Sequence, residues 1–517
     1  MRVALLIMAV LSLGPLAFPQ IKTAKVTGGK VQGIVEDGIS IFKGIPFAAP
    51  PVGELRWKAP QPVKGWPGIR MAEAFAPGCV QDTGMAKMMG APVSVSEDCL
   101  YLNVWTPARS VREKYPVIVW IYGGGFSGGM TSVPMYDGKK LAQKGAVVIS
   151  IAYRVGPFGF LAHPELSRES GKGSGNYGLQ DMIAGLKWVK ANAEKFGGDS
   201  KRVTIFGHSA GGMAVSMLSA SPAAKGLFHH AISMSGGSFA PPRIADEAGQ
   251  MVPSLKLAES QGEAFLKKLG ANDIKAARAL SADEIHKGLT GFSEGRFWPV
   301  ADANILPGDQ YELYLAGRFN DTSILIGTTS DEAGTFSPKP VTAAEFEKQV
   351  RANYGPQAEA ILKAYPHSND AEATRSSKGL MRENTFAWHT WAWAKLQSQK
   401  GKGKAYVYFF DRHTAATPDG AGHGTDVPYA FQTLTGAPAK EDAALSDMIS
   451  SYLVNFAGTG DPNGEGLPEW PSFSESDQKV MFFDEQPSVR PIPNLDKLKA
   501  LDGYYSWRRE QAKKART

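Results

Sequence analysis

Val203-Thr204-Ile205-Phe206-Gly207-His208-Ser209-Ala210-Gly211-Gly212-Met213-Ala214-Val215 sets an apolar strand, a glycine-flanked serine and a helix of small, then apolar, residues in direct succession. A turn this tight leaves no room for side chains beside the serine and forces strained backbone angles on the serine itself. The pattern Gly-x-Ser-x-Gly alone carries little weight. With 57 glycines in 517 residues, chance yields about one match in two such chains. Three occur here, around Ser127, Ser209 and Ser293. Ser127 follows a strand but leads into Thr131-Ser132-Val133-Pro134, which is no helix, and Ser293 has no strand before it. Ser209 is therefore the candidate nucleophile, and the other two read as loop serines.

Outward from this stretch the same rhythm repeats. Pro116 to Tyr122, Ala146 to Tyr153, Ala231 to Met234 and Ser323 to Gly327 are continuous apolar strands, and Gln180 to Phe196 has helical spacing. Continuous apolar strands alternating with helices predict an α/β fold with a mostly parallel sheet covered on both faces. Sites in such sheets lie beyond the carboxyl ends of the strands. Lys30 to Glu36 and Ile39 to Gly44 read as short antiparallel edge strands. Residues 243–320 and 340–400 are helical without the alternation. The chain thus reads as one catalytic domain over 21–517, with helical insertions above the strand ends. Phe386 to Trp393 is expected to be a buried aromatic helix, with His389 as a core histidine.

A serine hydroxyl needs a base beside it, and in a strand-turn-helix site the partners follow in the order serine, acid, histidine. His423, in Gly420-Ala421-Gly422-His423-Gly424, sits on a glycine-flanked loop free to reach over a strand end. His163 and His208 precede the serine, and the turn should point His208 away. The acid should follow the strand ending at Gly327. Asp331 and Glu332 both stand there, and either carboxylate could hold the imidazole tautomer. Gly123-Gly124-Gly125 follows another strand, where bare backbone amides can face a developing oxyanion, joined by the amide of Ala210.

Bulk properties exclude other classes. Charge is mild, with 56 Lys and Arg against 50 Asp and Glu. No block of five basic residues suggests nucleic-acid binding, and the basic end from Trp507 reads as a solvated helix or tail. Arg2, the apolar run Val3 to Leu13 and Gly14-Pro15-Leu16-Ala17 read as a secretory leader over residues 1–20, cleaved near 17–20. A membrane span would need roughly 20 apolar residues, so no stable membrane insertion is expected after cleavage. The expected location is secreted or periplasmic. In such a compartment Cys79 and Cys99 are expected to bridge, closing a loop of about 20 residues at a gain of about 3 kcal/mol. No His or Cys cluster suggests a metal, and no cofactor is implied.

The chain resembles the type-B carboxylesterases, the α/β-hydrolase family that includes cholinesterases. The resemblance rests on Phe42-Lys43-Gly44-Ile45-Pro46-Phe47-Ala48, Ser96-Glu97-Asp98-Cys99-Leu100-Tyr101-Leu102-Asn103-Val104-Trp105, and Trp120-Ile121-Tyr122-Gly123-Gly124-Gly125-Phe126. Asn176-Tyr177-Gly178-Leu179-Gln180-Asp181, Gly207-His208-Ser209-Ala210-Gly211-Gly212 and Gly458-Thr459-Gly460-Asp461-Pro462-Asn463 complete it. It implies hydrolysis of a small-molecule carboxylic ester, with Glu332 as the acid and Gly124, Gly125 and Ala210 as the oxyanion hole. It also implies a Cys79–Cys99 bridge, an Arg56–Glu97 ion pair and a serine near the triad at Ser235. Ala333 departs from the family's glycine after the acid, and His208 stands where cholinesterases carry glutamate. The Cys79–Cys99 loop has Met85, Met88 and Met89 but no aromatic ring to hold a quaternary ammonium, which argues against a cholinesterase. Bulky or polycarboxylic esters, amides, carbamates and polyesters share the same chemistry. A non-catalytic adhesion module is a remote alternative, since relatives of that kind generally have a disrupted triad. The oligomeric state is open.

Overall fold

A computed structural model describes residues 20–245, 252–336, 338–415 and 417–514. The predicted leader, Gln20 apart, lies outside the described residues. The first strands are β1 (Thr23–Val26), β2 (Gly29–Gln32), β3 (Ile34–Glu36), β4 (Ile39–Pro46) and β5 (Ile69–Met71). Next come β6 (Gly78–Cys79), β7 (Val95–Ser96), β8 (Tyr101–Thr106), β9 (Tyr115–Ile121) and β10 (Val147–Ile151). The last are β11 (Gly198–His208), β12 (His230–Met234), β13 (Ser323–Thr329), β14 (Ala405–Phe410), β15 (Lys479–Phe483) and β16 (Ser488–Pro491).

An 11-stranded sheet organises the chain in the order β16-β15-β14-β13-β12-β11-β9-β10-β8-β4-β3. From β10 through β15 every pairing is parallel. At the margins, β8, β4 and β3 on one side and β16 on the other run antiparallel to their neighbours. β10 and β14 are buried along their whole length and β9 along all but its first residue. Such burial follows from helices lying against the sheet, so no strand needs a polar face. Those helices are Tyr177–Asn192, Ala210–Ala220, Trp388–Lys400 and Lys440–Thr459.

The expected strand over Lys30 to Glu36 is broken in two. β2 joins a separate three-stranded sheet with β1 and β5, whereas β3 belongs to the large one. The chain changes sheets at Gly33, whose amide donates to the Lys22 carbonyl at 3.0 Å. A Cβ there would lie 2.2 Å from the Ile41 carbonyl oxygen, so only glycine lets the strands approach.

Helices Leu255–Lys268, Ile274–Ala279, Ala282–Lys287 and Gln310–Leu315 lie between β12 and β13. Helices Ala343–Tyr354, Ala358–Ala364, Asp370–Arg382 and Trp388–Lys400 lie between β13 and β14, with a π turn at Glu383–Ala387. Local chemistry starts them: Ser281 with Glu284, and Thr342 with Glu345, form reciprocal capping boxes. The basic C-terminal segment departs from expectation. It is a helix, Leu495–Lys514, but Arg508 and Arg509 are buried rather than solvated. Arg509 pairs with Asp309 at 2.8 Å, lies 4.0 Å over the Tyr311 ring and donates to the Phe239 carbonyl. A planar guanidinium can stack and hydrogen-bond at once, and here it ties the C-terminus to the Gln310–Leu315 helix.

Candidate active site

Register places the candidate residues at one edge. Gly207 of β11 is level with Ile121 of β9, and His208 of β11 is level with Met234 of β12, itself level with Gly327 of β13. The segments leaving these strands therefore emerge side by side at their carboxyl ends. Ser209 occupies the turn from β11 into the Ala210–Ala220 helix, with φ 55° and ψ −124°. That left-handed conformation is costly for serine. It is held by the backbone: the Ser209 amide donates to the Met234 carbonyl at 2.9 Å, and the Met213 amide donates to the Ser209 carbonyl at 2.8 Å. A Cβ on Gly211 would lie 2.1 Å from the Ile121 oxygen, and one on Gly207 would lie 2.4 Å from the Gly211 carbonyl.

His423 and Glu332 are joined. Nδ1–H of His423 donates to Oε2 of Glu332 at 2.5 Å, and the Thr329 amide donates to the other carboxylate oxygen at 2.9 Å. Glu332 is fully buried. The neighbouring Asp331 is only half-buried and makes backbone links instead, its amide donating to the Ala421 carbonyl at 2.8 Å. Ser330 Oγ accepts from the Ala421 amide at 2.9 Å. The loop after β13 is thus sewn to the loop that carries His423.

His208 contradicts the expectation that it points away. Its ring lies against that of His423, with centroids 4.6 Å apart. Gly424 makes the contact possible, because a Cβ there would come within 2.9 Å of His208 Cε1. Burial, reinforced by His423, holds the His208 imidazole well below the usual histidine range, so it is neutral at physiological pH. Phe386 and Phe336 complete the setting, with centroids 4.6 and 5.2 Å from the His423 ring. Phe386 was expected only as helix core. No local pattern in the sequence marks either ring, since both reach the histidine from distant segments. His389 is buried as expected, its Nδ1 accepting from the Phe239 amide at 2.9 Å.

The glycine turn backs onto the serine: a Cβ on Gly123 would lie 2.9 Å from Ser209 Cβ. Gly124 and Gly125 are partly exposed, and among the described residues their amides donate to no backbone carbonyl. Ala210 is the first residue of its helix, where an amide has no intrahelical partner. Ser235 lies at the end of β12, buried and at φ 46°. Its amide donates to the Gly327 carbonyl at 2.8 Å, and its hydroxyl bonds to none of the described residues. Below the site, Asp426 is buried and accepts from the Tyr408 hydroxyl at 2.7 Å.

Cys79 and Cys99 are bridged, with Cα atoms 5.0 Å apart. Arg56 grips Glu97 with two bonds, at 2.6 and 2.7 Å. Among the described residues no cluster of three His, Cys, Asp or Glu could hold a metal, and no helix is long and apolar enough to cross a membrane.

The chain is similar to known proteins over most of its length. Residues 18–500 match the model of the carboxylesterase family. The chain is 36% identical over 492 residues to fumonisin B1 esterase of Sphingopyxis macrogoltabida, covering 89% of this chain and 85% of that protein. It is 34% identical to para-nitrobenzyl esterase of Bacillus subtilis, covering 92% and 97%. A solved PNB esterase superposes with a TM-score of 0.81 at 34% identity, covering 93% of this chain and all of that one. The large sheet is that of an α/β-hydrolase.

Proposed function

The chain belongs to the carboxylesterase family and is a carboxylic ester hydrolase, and from that premise we propose that it cleaves small-molecule esters through Ser209, His423 and Glu332 by way of an acyl-enzyme. The observation that carries this reading is the His423–Glu332 pair, whose histidine ring packs on the neighbour of a strained Ser209. With Nδ1–H committed to Glu332, Nε2 is left as the acceptor. It takes the Ser209 proton as Oγ attacks the ester carbonyl, and Glu332 stabilises the resulting imidazolium. The carbonyl oxygen becomes an oxyanion facing the amides of Gly124, Gly125 and Ala210, each worth about 100- to 1,000-fold in rate. The C–O bond to the alcohol then breaks, and the alcohol leaves with the proton from His423. Water repeats the attack on the acyl-serine and releases the acid.

Burst kinetics with an activated p-nitrophenyl ester test this reading. Ser209→Ala should lose the burst and about 10⁴-fold or more of turnover. An unchanged burst in that variant would refute the assignment. The leader-like N-terminus and the Cys79–Cys99 bridge support export to a secreted or periplasmic location. We read residues 21–517 as a single catalytic unit.

A further inference from the structure

A turn built of glycines exposes its amides but has few side chains with which to hold itself. Between Gly123 and Gly129 only Phe126, Ser127 and the glycine backbone are present. The Gly124 carbonyl closes the turn by accepting from the Ser127 and Gly128 amides, both at 3.1 Å. Its far end is fixed from outside, by Gln81. This side chain is 5% exposed. Its Oε1 accepts from the Gly129 amide at 2.6 Å, and its Nε2 donates to the Gly129 carbonyl at 2.8 Å. The second Nε2 hydrogen goes to the Cys79 carbonyl at 2.9 Å. An amide engaged in this way has one orientation only, because a flip would set donor against donor. Gly129 in turn presses on the start of the turn: a Cβ there would lie 2.4 Å from the Gly123 oxygen. Contacts therefore run without a break from the Cys79–Cys99 bridge through Gln81 and Gly129 to Gly123, which abuts Ser209.

We propose that Gln81 is a positioning residue for ester hydrolysis, holding Gly129 so that the Gly124 and Gly125 amides stay aimed at the oxyanion. The inference rests on the ester-hydrolase reading above. Gln81→Met keeps the length and removes all three bonds. With p-nitrophenyl acetate its kcat should fall about 10- to 100-fold while KM stays within about twofold, since a small misplacement of preorganised donors is felt in the transition state. Affinity for a trifluoromethyl ketone, which forms the tetrahedral adduct, should fall by the same factor as kcat/KM. Gln81→Glu keeps an acceptor for the Gly129 amide but sets an anionic oxygen against two carbonyls. Its kcat relative to the unaltered protein should rise as pH is lowered from about 8 to about 6 and the new carboxyl gains a proton. In protein that circular dichroism shows to be equally folded at both pH values, a merely structural role would not produce that recovery, and this variant decides the matter if Gln81→Met does not fold.

Unaltered kcat in folded Gln81→Met would overturn the proposal. So would lost turnover with undiminished ketone affinity, or a Gln81→Glu ratio flat with pH. Failure of the unaltered protein to react with a fluorophosphonate and to turn over esters would instead sink the ester-hydrolase reading itself.

Discussion

Ser209 stands on a turn made by backbone alone, whereas His423 is held mainly by side chains from distant segments, on a loop that one backbone bond, from the Asp331 amide to the Ala421 carbonyl, joins to the loop after β13. Around Ser209 the constraints are two strand ends, a helix start and glycines pressed against carbonyl oxygens. Around His423 they are Glu332, His208, Phe336 and Phe386. A backbone-built turn has no softer arrangement available. A packed loop can shift by rotamer changes, so its errors should be graded and open to repair.

The sharpest way to break this contrast is Gly211→Ala. The new methyl would sit 2.1 Å from the Ile121 oxygen and 2.7 Å from the Tyr122 oxygen, both backbone atoms. A loss of more than about 4 kcal/mol is expected, together with loss of fluorophosphonate labelling at Ser209. Urea unfolding and labelling rates would check both. A stable, active variant would mean that the turn yields more readily than its backbone contacts imply.

Gly424→Ala probes the other side. Its Cβ meets an imidazole rather than backbone, and φ is +82°. Turnover should fall about 10- to 100-fold in a folded protein. Adding His208→Ala should restore part of that loss. A double variant no faster than the single one would show that the backbone, not side-chain packing, places His423.

The smallest effect on turnover concerns Asp426, below the histidine loop. Burial, with a further contribution from Glu332, raises its carboxyl to about 7, while Tyr408 and His423 act in the opposite direction. The folded protein therefore holds this proton more tightly than the unfolded chain. The contribution to stability is fully present below about pH 4 and is lost as pH rises through about 7, a change of up to ~4 kcal/mol. Asp426→Asn should flatten that decline without abolishing turnover. Thermal unfolding followed from pH 4 to 8 would test it, and an unchanged slope would show that the carboxyl is ionised throughout.

Legibility divides along the same line. The Val203–Val215 stretch already showed the Ser209 turn, since strand, glycines and helix are consecutive and their demands are local. The loop setting of His423 was legible from its flanking glycines. The choice between Asp331 and Glu332 was not legible from the residues themselves. Both follow β13, and only the path of the loop decides which side chain is buried under the imidazole. The resemblance to carboxylesterases, rather than spacing, pointed to Glu332.

The sequence by itself determined the parallel sheet, the strand-turn-helix at Ser209 and the glycine turn, because each depends on apolar continuity or missing side chains among neighbours in the chain. Tertiary structure alone decided that His208 lies against His423, that Phe386 reaches the same ring, that Arg508 and Arg509 are buried, and that Gln81 grips Gly129. In each case, side chains or backbone groups from separate segments meet only after the sheet has formed. Their contact energy depends on where those segments end up, and no local pattern encodes that.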